Sequence, residues 1–210
     1  MVFCQTWLHL HPQCLPIHTV CRQRKNVPHC TREKRISIIE IVRRYLKVKE
    51  YVTKRFKELI ENATKKDLEV LTAIFEGLKS EDNAKSPYVN RLYHFEREIK
   101  DNTITMTMPI SPIVLNSIGI THGGVIATLI DTAIGTLANV TVAPEGNAAV
   151  TTDISVRYLR AAKGGKLTCE GTILHKGKKT MVLEGKVYSE DGTLCAHSTG
   201  NFFIIPRPQS

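Results

Sequence analysis

The residues best suited to chemistry lie close together near the middle of the chain. Gly123 and Gly124 open a long apolar segment that is typical of a helix, and small residues there let a ligand approach the backbone closely. The first N–H groups of a helix have no partner inside it, so they can bind an oxygen that gains negative charge. Asp131 is the only ionisable residue between His122 and Glu145, and a carboxylate in apolar surroundings is costly unless paired or used. The pattern predicts an oxyanion hole at Gly123 and a base or nucleophile at Asp131.

The spacing of Gly123 and Asp131 determines how such a site can be assembled. Along a helix the two residues lie about 12 Å apart, at roughly 1.5 Å per residue. A reacting carbonyl must lie about 3 Å from both the oxyanion donors and the base. One helix cannot meet this condition, whereas two antiparallel copies can bring Gly123 of one chain near Asp131 of another. We therefore expect a homodimer, or a dimer of dimers, with shared active sites.

Each of these residues also has a structural interpretation. Asp131 fits a satisfied buried carboxylate, and His122 fits a helix cap or an anchor for the preceding loop. Asn116 fits an ordinary turn residue, and Gly123 with Gly124 fits any tight turn from strand to helix. The chemical interpretation depends on the combination of these residues at fixed spacing.

The surrounding elements follow from hydrophobic periodicity. Apolar residues recur at steps of three and four across residues 36–80, which predicts basic amphipathic helices, the second beginning after a capping box at Thr64 and Asp67. From Pro87 onward the period changes to two, which predicts strands. The expected strands are residues 92–100, 103–108, 148–160, 165–176, 179–189 and 193–205.

The segment from His122 to Val142 is apolar nearly all round, which is typical of a buried helix or of a membrane span. His122 and Asp131 would be costly in lipid, and the flanking segments alternate like the strands of a soluble sheet. We therefore predict an α+β fold in which a curved antiparallel sheet wraps around a long central helix, with an N-terminal helical extension. No stable membrane insertion is expected.

The net charge of +9 comes from the N-terminal third of the chain. Basic helices at residues 36–66 suit an acidic partner such as DNA or a membrane surface, and they equally suit a solvated helix face. No helix-turn-helix signature with a short glycine turn occurs there, so no nucleic-acid partner is expected.

Residues 1–35 form an irregular extension that contains four of the six cysteines and four histidines. Since no cysteine pair has C-x-x-C spacing, no metal site is predicted. The first 20 residues make a poor secretory signal, because prolines and histidines interrupt the apolar run. We expect this extension to be disordered or to reflect a wrongly chosen start codon, and the protein to be cytoplasmic with free thiols.

Asn116, His122-Gly123-Gly124 and Asp131 at this spacing, followed by four strands, resemble the hotdog-fold acyl-CoA thioesterases of the phenylacetate pathway. The resemblance covers residues 86–206 and implies hydrolysis of acyl-CoA thioesters to a free carboxylic acid and CoA, without a cofactor. In that family the glycine N–H, helped by the asparagine, polarises the thioester carbonyl. The aspartate serves as base or nucleophile, and the histidine shapes the site. These roles carry onto Gly123, Asn116, Asp131 and His122.

The resemblance implies two further groups of site residues. A hydroxyl residue on the third strand orients the attacking water in this family, and Thr151 is the match. Thr152 is its neighbour and would face the other side of the strand. Basic residues near the phosphates of the coenzyme are also expected, and the candidates are Arg157, Arg160, Lys163 and Lys166.

Two other functions remain open at the level of sequence. A hotdog dehydratase or hydratase shares the fold but uses a different arrangement of histidine and acid. An acyl-CoA-sensing regulatory protein would join a hotdog ligand domain to a DNA-binding segment, and the basic helices keep this function open. Release of free thiol from acyl-CoA would favour the enzyme, whereas salt-dependent DNA binding would favour the sensor.

Overall fold

A computed structural model describes residues 38–79 and 86–208 of the chain. The boundary between two compact units falls after Arg55, inside the first helix, and the second unit contains every element that follows that helix. The extension predicted at residues 1–35 lies outside the described residues, and so do residues 80–85 between the helices and the first strand.

Two helices, α1 at Ile38–Glu61 and α2 at Lys65–Lys79, lie where the periodicity predicts them. A capping box begins α2: Asp67 N–H donates to Thr64 Oγ1 at 3.2 Å, and Thr64 N–H donates to Asp67 Oδ2 at 2.9 Å. The Thr64 hydroxyl also donates to this carboxylate, and this bond is the main cause that lowers the pKa of Asp67. The cap is therefore formed by the ionised aspartate.

A short helix, α3 at Tyr88–Leu92, follows the second gap in the described residues. The first strand, β1 at Glu96–Lys100, therefore begins four residues later than the strand predicted at residues 92–100. The physical reason is close packing of α2 on this segment. Gly77 lies so near the Arg91 carbonyl oxygen that it leaves no room for a β-carbon, and a 2.9 Å hydrogen bond joins His94 Nε2 to Ala73 O.

Six antiparallel strands form one sheet in the order β1-β2-β4-β5-β6-β3. The later strands are β2 at Thr103–Pro109, β3 at Asn147–Tyr158, β4 at Lys166–Lys176, β5 at Thr180–Ser189 and β6 at Leu194–Pro206. The turn between β1 and β2 uses Asp101 and Asn102, whose φ angles of 46° and 63° suit a type I′ hairpin. The short β1 and the long β3 are the two edges of the sheet.

The central helix, α4 at Gly123–Val142, packs across one face of this sheet. Glycines on three neighbouring strands let it lie close: a β-carbon at Gly200 would lie 2.7 Å from Ile134 Cδ1, and one at Gly185 would lie 3.0 Å from Ile130 Cγ2. The helix is long and apolar enough to cross a membrane by composition alone, yet its buried face forms the core of the fold. The predicted combination of an antiparallel sheet and a long central helix is thus confirmed. The buried residues of α4 are Ile126, Leu129, Ile130, Ala133, Ile134, Leu137, Ala138 and Val142.

Candidate active site

The N-terminus of α4 is capped by His122. Its Nδ1 accepts a 2.9 Å hydrogen bond from Gly124 N–H, which places the ring proton of a neutral imidazole on Nε2. A β-carbon at Gly124 would lie 3.2 Å from this nitrogen, so the glycine lets the imidazole fold back over the helix. Because the cap occupies the Gly124 N–H, only Gly123 N–H of this pair is left to bind a substrate oxygen.

Gly123 is the first residue of α4, and its N–H has no acceptor among the described residues. Its carbonyl oxygen accepts a 2.8 Å hydrogen bond from the hydroxyl of Tyr158 at the end of β3. The phenol ring covers the glycine so closely that a β-carbon there would lie 3.3 Å from Tyr158 Cζ. The tyrosine therefore restrains residue Gly123 through its carbonyl, on the side opposite the N–H that is the predicted oxyanion donor. Sequence reasoning missed Tyr158, and nothing in the local pattern marked it.

Asn116 organises the loop that leads into α4. Its Oδ1 accepts hydrogen bonds from Ile118 N–H at 3.0 Å and from Ile120 N–H at 3.2 Å. The loop turns at Gly119, whose φ of 75° lies in the left-handed region that favours glycine. The side-chain oxygen of Asn116 is thus committed to the loop, and its Nδ2 is the group that remains for a substrate carbonyl.

Asp131 lies near the middle of α4, where it is half-buried and lines a cleft beside the helix. Thr151 Oγ1 donates a 2.9 Å hydrogen bond to Asp131 Oδ1. The neighbouring hydroxyl, Thr152 Oγ1, donates instead to the backbone oxygen of Asn201 at 3.0 Å. The structure therefore brings Thr151, and not Thr152, to the carboxylate.

An irregularity in β3 accompanies this contact. The pairing of β3 with β6 shifts register between Thr151 and Asp153, which is a β-bulge at Thr152. Beside it, Asn139 of α4 binds the β3 backbone twice: its Nδ2 donates to Ala149 O at 2.9 Å, and its Oδ1 accepts from Ala149 N–H at 3.0 Å. Bulges commonly re-aim side chains next to active sites. Here the bulge and the Asn139 amide hold Thr151 against α4, and sequence reasoning identified neither of them.

The predicted coenzyme-binding residues lie toward the other end of β3 and beyond it. Arg157 is exposed and lies opposite His197 in the register of β3 with β6. Arg160 Nη1 donates a 3.4 Å hydrogen bond to Leu194 O. Lys163 lines a separate surface cleft, of about 380 Å³, beside Glu190 and Asp191. None of these three residues lines the cleft that contains Asp131. Lys166 begins β4, away from Asp131.

The cleft that contains Asp131 has a volume of about 590 Å³ and runs along the outward face of α4. Thr151 lines it from β3, Asn90 lines it from α3, and Arg97 lines it from β1. This volume lies within the range of roughly 300–1,000 Å³ that small-molecule sites occupy. The carboxylate and its hydroxyl partner therefore face a space that can hold part of a substrate.

A cysteine nucleophile does not fit the described part of the chain. Cys169 and Cys195 are the two cysteines within it, and both are free and buried under the sheet. Burial raises the pKa of Cys169 to about 12, so its thiol stays protonated at neutral pH. Because the thiolate is the nucleophilic form, Cys169 is poorly suited to nucleophilic attack.

Comparisons with known proteins show which proteins the chain resembles. A family model described as the thioesterase superfamily matches residues 118–196. The proofreading thioesterase EntH of Cronobacter sakazakii is 31% identical over 98 residues, which are 47% of this chain and 71% of that protein.

Solved structures carry the same fold. The BH2602 protein of Bacillus halodurans, solved with CoA, is 32% identical with a TM-score of 0.65, and the match covers 73% of this chain and 99% of that one. The PaaI protein from the phenylacetic acid degradation operon of E. coli is 21% identical with a TM-score of 0.53, and the match covers 63% and 96% of the two chains. At that identity PaaI supports the fold alone, and it confirms the predicted hotdog arrangement.

Proposed function

Because this chain belongs to the thioesterase superfamily, we propose that it hydrolyses acyl-CoA thioesters to a free carboxylic acid and CoA. The observation that carries the proposal is the pair formed by Asp131 and Thr151, a carboxylate held by a 2.9 Å hydrogen bond at the edge of an open cleft. A thioester is already an activated acyl group, so a carboxylate and an oxyanion hole suffice for its hydrolysis.

The oxyanion hole belongs at Gly123. Its N–H is the first of α4, has no acceptor among the described residues, and lies at the positive end of the helix dipole. As the tetrahedral intermediate forms, negative charge grows on the carbonyl oxygen, and a fixed donor there stabilises that charge more than it stabilises the ground state. Asn116 Nδ2 is the second donor in this proposal.

Asp131 supplies the other half of the reaction. Acting as a base, its carboxylate takes a proton from water while the water oxygen bonds to the carbonyl carbon. The C–S bond then breaks, and the CoA thiolate leaves and takes up a proton. Acting as a nucleophile, the Asp131 carboxylate bonds to the carbonyl carbon and the C–S bond breaks, which expels the CoA thiolate. Water then hydrolyses the mixed anhydride to the free acid and regenerates Asp131. The hydroxyl of Thr151 positions the carboxylate in either route.

The two halves of the site are supplied by two copies of the chain in this proposal. Within one protomer, Gly123 is bound to Tyr158 near the end of β3, whereas Asp131 is bound to Thr151 near its middle. Gly123 and Asp131 are separated by about 12 Å along α4, so one carbonyl group cannot lie within about 3 Å of both. The long β3 is an edge strand, so its free side can pair with the same strand of a second copy. Antiparallel pairing of this kind brings Gly123 of one protomer toward Asp131 of its partner.

Coenzyme A extends from this shared site toward Arg157 and Arg160 in our proposal. Arg157 lies within β3 beside Tyr158, Arg160 follows the strand, and both arginines are exposed at the surface. Guanidinium groups bind phosphate oxygens well. Support also comes from the structurally similar Bacillus halodurans protein, which was solved with CoA. Lys163 is the candidate least suited to bind phosphate, because it lines a cleft together with two acidic residues.

A thiol-release assay with short, medium, long and aromatic acyl-CoA thioesters tests the proposal. We expect release of free CoA from at least one class, with loss of that activity in Asp131→Asn and an unchanged fold by circular dichroism. Activity that survives in Asp131→Asn would contradict the proposed site. No release from any thioester in the panel would contradict acyl-CoA hydrolysis itself.

A further inference from the structure

We propose that the cleft beside Asp131 binds the acyl part of the substrate and selects acyl groups with a carboxylate at their far end. This inference rests on the proposed hydrolysis of acyl-CoA and adds the class of acyl group to it. The carboxylate-binding residues in this proposal are Asn90 of α3, Arg97 of β1 and Arg207, which follows β6.

A buried amide without a partner is the first observation. Asn90 is 8% exposed and lines the cleft, and its Oδ1 has no hydrogen-bond partner among the described residues. Buried side-chain polar atoms in folded proteins nearly always have a partner, so this one is completed by a water or by a bound group. Because the oxygen and nitrogen of an amide exchange places on rotation, Asn90 can donate to a bound carboxylate.

The second observation is that Arg97 lies on the sheet face that packs against α4. Arg97 pairs with Met106 of β2, a buried residue on the sheet face that packs against α4. Directly opposed residues on paired strands point to the same face, so Arg97 also lies on the face of α4. Inward-pointing charges on edge strands can serve to prevent pairing with other chains. An arginine that only prevents strand pairing binds no ligand, so kinetic comparison of two thioesters distinguishes that role from substrate binding.

An excess of positive charge in the cleft is the third observation. Among the described residues that line it, Arg97 and Arg207 are basic and Asp131 alone is acidic. Neither arginine forms an ion pair within the described part of the chain. The guanidinium group presents its donors in a planar fork that matches a carboxylate. The cleft therefore offers Asp131 to the reacting carbonyl and two arginines to a second, anionic group.

The position of the cleft favours an acyl carboxylate over a coenzyme phosphate. The proposed phosphate partners lie at the end of β3 that is remote from Thr151: Arg157 is its next-to-last residue, and Arg160 follows the strand. A thioester held at Asp131 with its CoA directed toward them leaves the cleft to the acyl chain. A CoA phosphate and an acyl carboxylate are both anions that an arginine can bind, so the experiment measures the effect of each substitution on both kinds of binding.

The experiment compares kcat/KM for glutaryl-CoA and pentanoyl-CoA, two five-carbon thioesters that differ in the terminal carboxylate. We expect the wild-type protein to prefer glutaryl-CoA by about tenfold or more, since a site built for a polar group rejects the analogue that lacks it. Arg97→Gln should lose about tenfold on glutaryl-CoA and less than about twofold on pentanoyl-CoA. Arg207→Gln is a second variant with the same expected selectivity. Lys100→Gln removes one charge from the same strand outside the cleft and should change neither value.

Three results would overturn the inference. If the wild-type protein hydrolyses both thioesters equally well, the cleft does not select a carboxylate and the proposed function stands. If Arg97→Gln loses activity equally on both thioesters and is inhibited less by free CoA, the arginine binds a CoA phosphate. If the wild-type protein releases CoA from no thioester of the wider chain-length panel, the proposed function fails and this inference fails with it.

Discussion

The hydroxyl of Thr151 on β3 donates a 2.9 Å hydrogen bond to the carboxylate of Asp131 on α4. The bond joins an edge strand to the central helix at the one acidic position of that helix. A hydrogen bond to a charged acceptor is stronger than one between neutral groups and fixes the orientation of the carboxylate. One carboxylate oxygen is thereby occupied, which leaves the other for a water or a carbonyl carbon.

Asp131→Asn should lower thioesterase turnover by at least about 100-fold, the scale expected for a lost base or nucleophile. The amide is nearly the same size as the carboxyl group and its oxygen can still accept from Thr151, so folding should survive. Steady-state kinetics of thiol release, together with a thermal melt, measure the two effects separately. Near wild-type turnover in the mutant would remove Asp131 from the mechanism.

Thr151→Val should lower kcat by roughly tenfold, because a lost hydrogen bond to a charged group is worth about 1.4 kcal/mol or more. Thr152→Val is the matched control: it is the same substitution on the next residue, whose hydroxyl bonds only to Asn201 O. That control should keep kcat within about twofold. Equal losses in both variants would mean that the effect comes from disturbing β3 and not from Asp131.

Much of the fold could be predicted from periodicity, because its elements are locally determined. The polar turn residues separate the last four strands within a residue or two of their observed ends, and the apolar run of α4 marks the central helix. The short helix α3 could not be predicted, since its conformation depends on packing between Gly77 of α2 and Arg91. That contact joins residues far apart in sequence.

The candidate site was predictable only in part, for a related reason. Asp131 stands out because an acid is expensive on an apolar helix, and Gly123 stands out because it begins that helix. Tyr158 contacts this helix and Asn139 belongs to it, but both lie in ordinary surroundings along the chain. Their roles arise from the antiparallel course of β3 beside α4, a tertiary relationship that spacing along one segment does not contain.

Mixing two inactive variants should restore activity if the sites are shared between protomers. One variant carries Asp131→Asn and the other carries Asn116→Ala, and in a heterodimer one of the two sites keeps both intact residues. We expect recovery of up to about half of the wild-type activity per heterodimer, as one of two sites is repaired. Separate affinity tags on the two chains allow the heterodimer to be purified and assayed. No recovery in a confirmed heterodimer would contradict the shared site.

Tyr158→Phe should lower kcat by about fivefold, which corresponds to roughly 1 kcal/mol for one neutral hydrogen bond. The ring remains to cover Gly123, so the variant removes only the 2.8 Å bond from the phenol to the glycine carbonyl. KM should change less than kcat, because a positioning effect on the oxyanion donor is felt most in the transition state. Tyr93→Phe is the control, since Tyr93 precedes β1 and packs against Phe95 and not against Gly123. Equal effects of the two substitutions would argue against a positioning role for Tyr158.

Gly77→Ala should destabilise the protein, although the general effect of this substitution in a helix has the opposite sign. Alanine is favoured over glycine inside a helix by roughly 1 kcal/mol. At Gly77, however, the new methyl group would clash with the Arg91 carbonyl oxygen, a backbone atom that cannot rotate away. Overpacking of this kind costs about 1–3 kcal/mol, so we expect a net loss of stability.

Gly135→Ala provides the matched control for that prediction. Gly135 is also an interior helical glycine, but a β-carbon there would lie 3.6 Å from Phe202 Cε1, which is ordinary contact. Urea denaturation of both variants should therefore give opposite signs: a lower midpoint for Gly77→Ala, and an equal or higher midpoint for Gly135→Ala. Stabilisation by both substitutions would show that α2 does not pack on the segment that carries Asn90, and it would remove the support for that wall of the cleft.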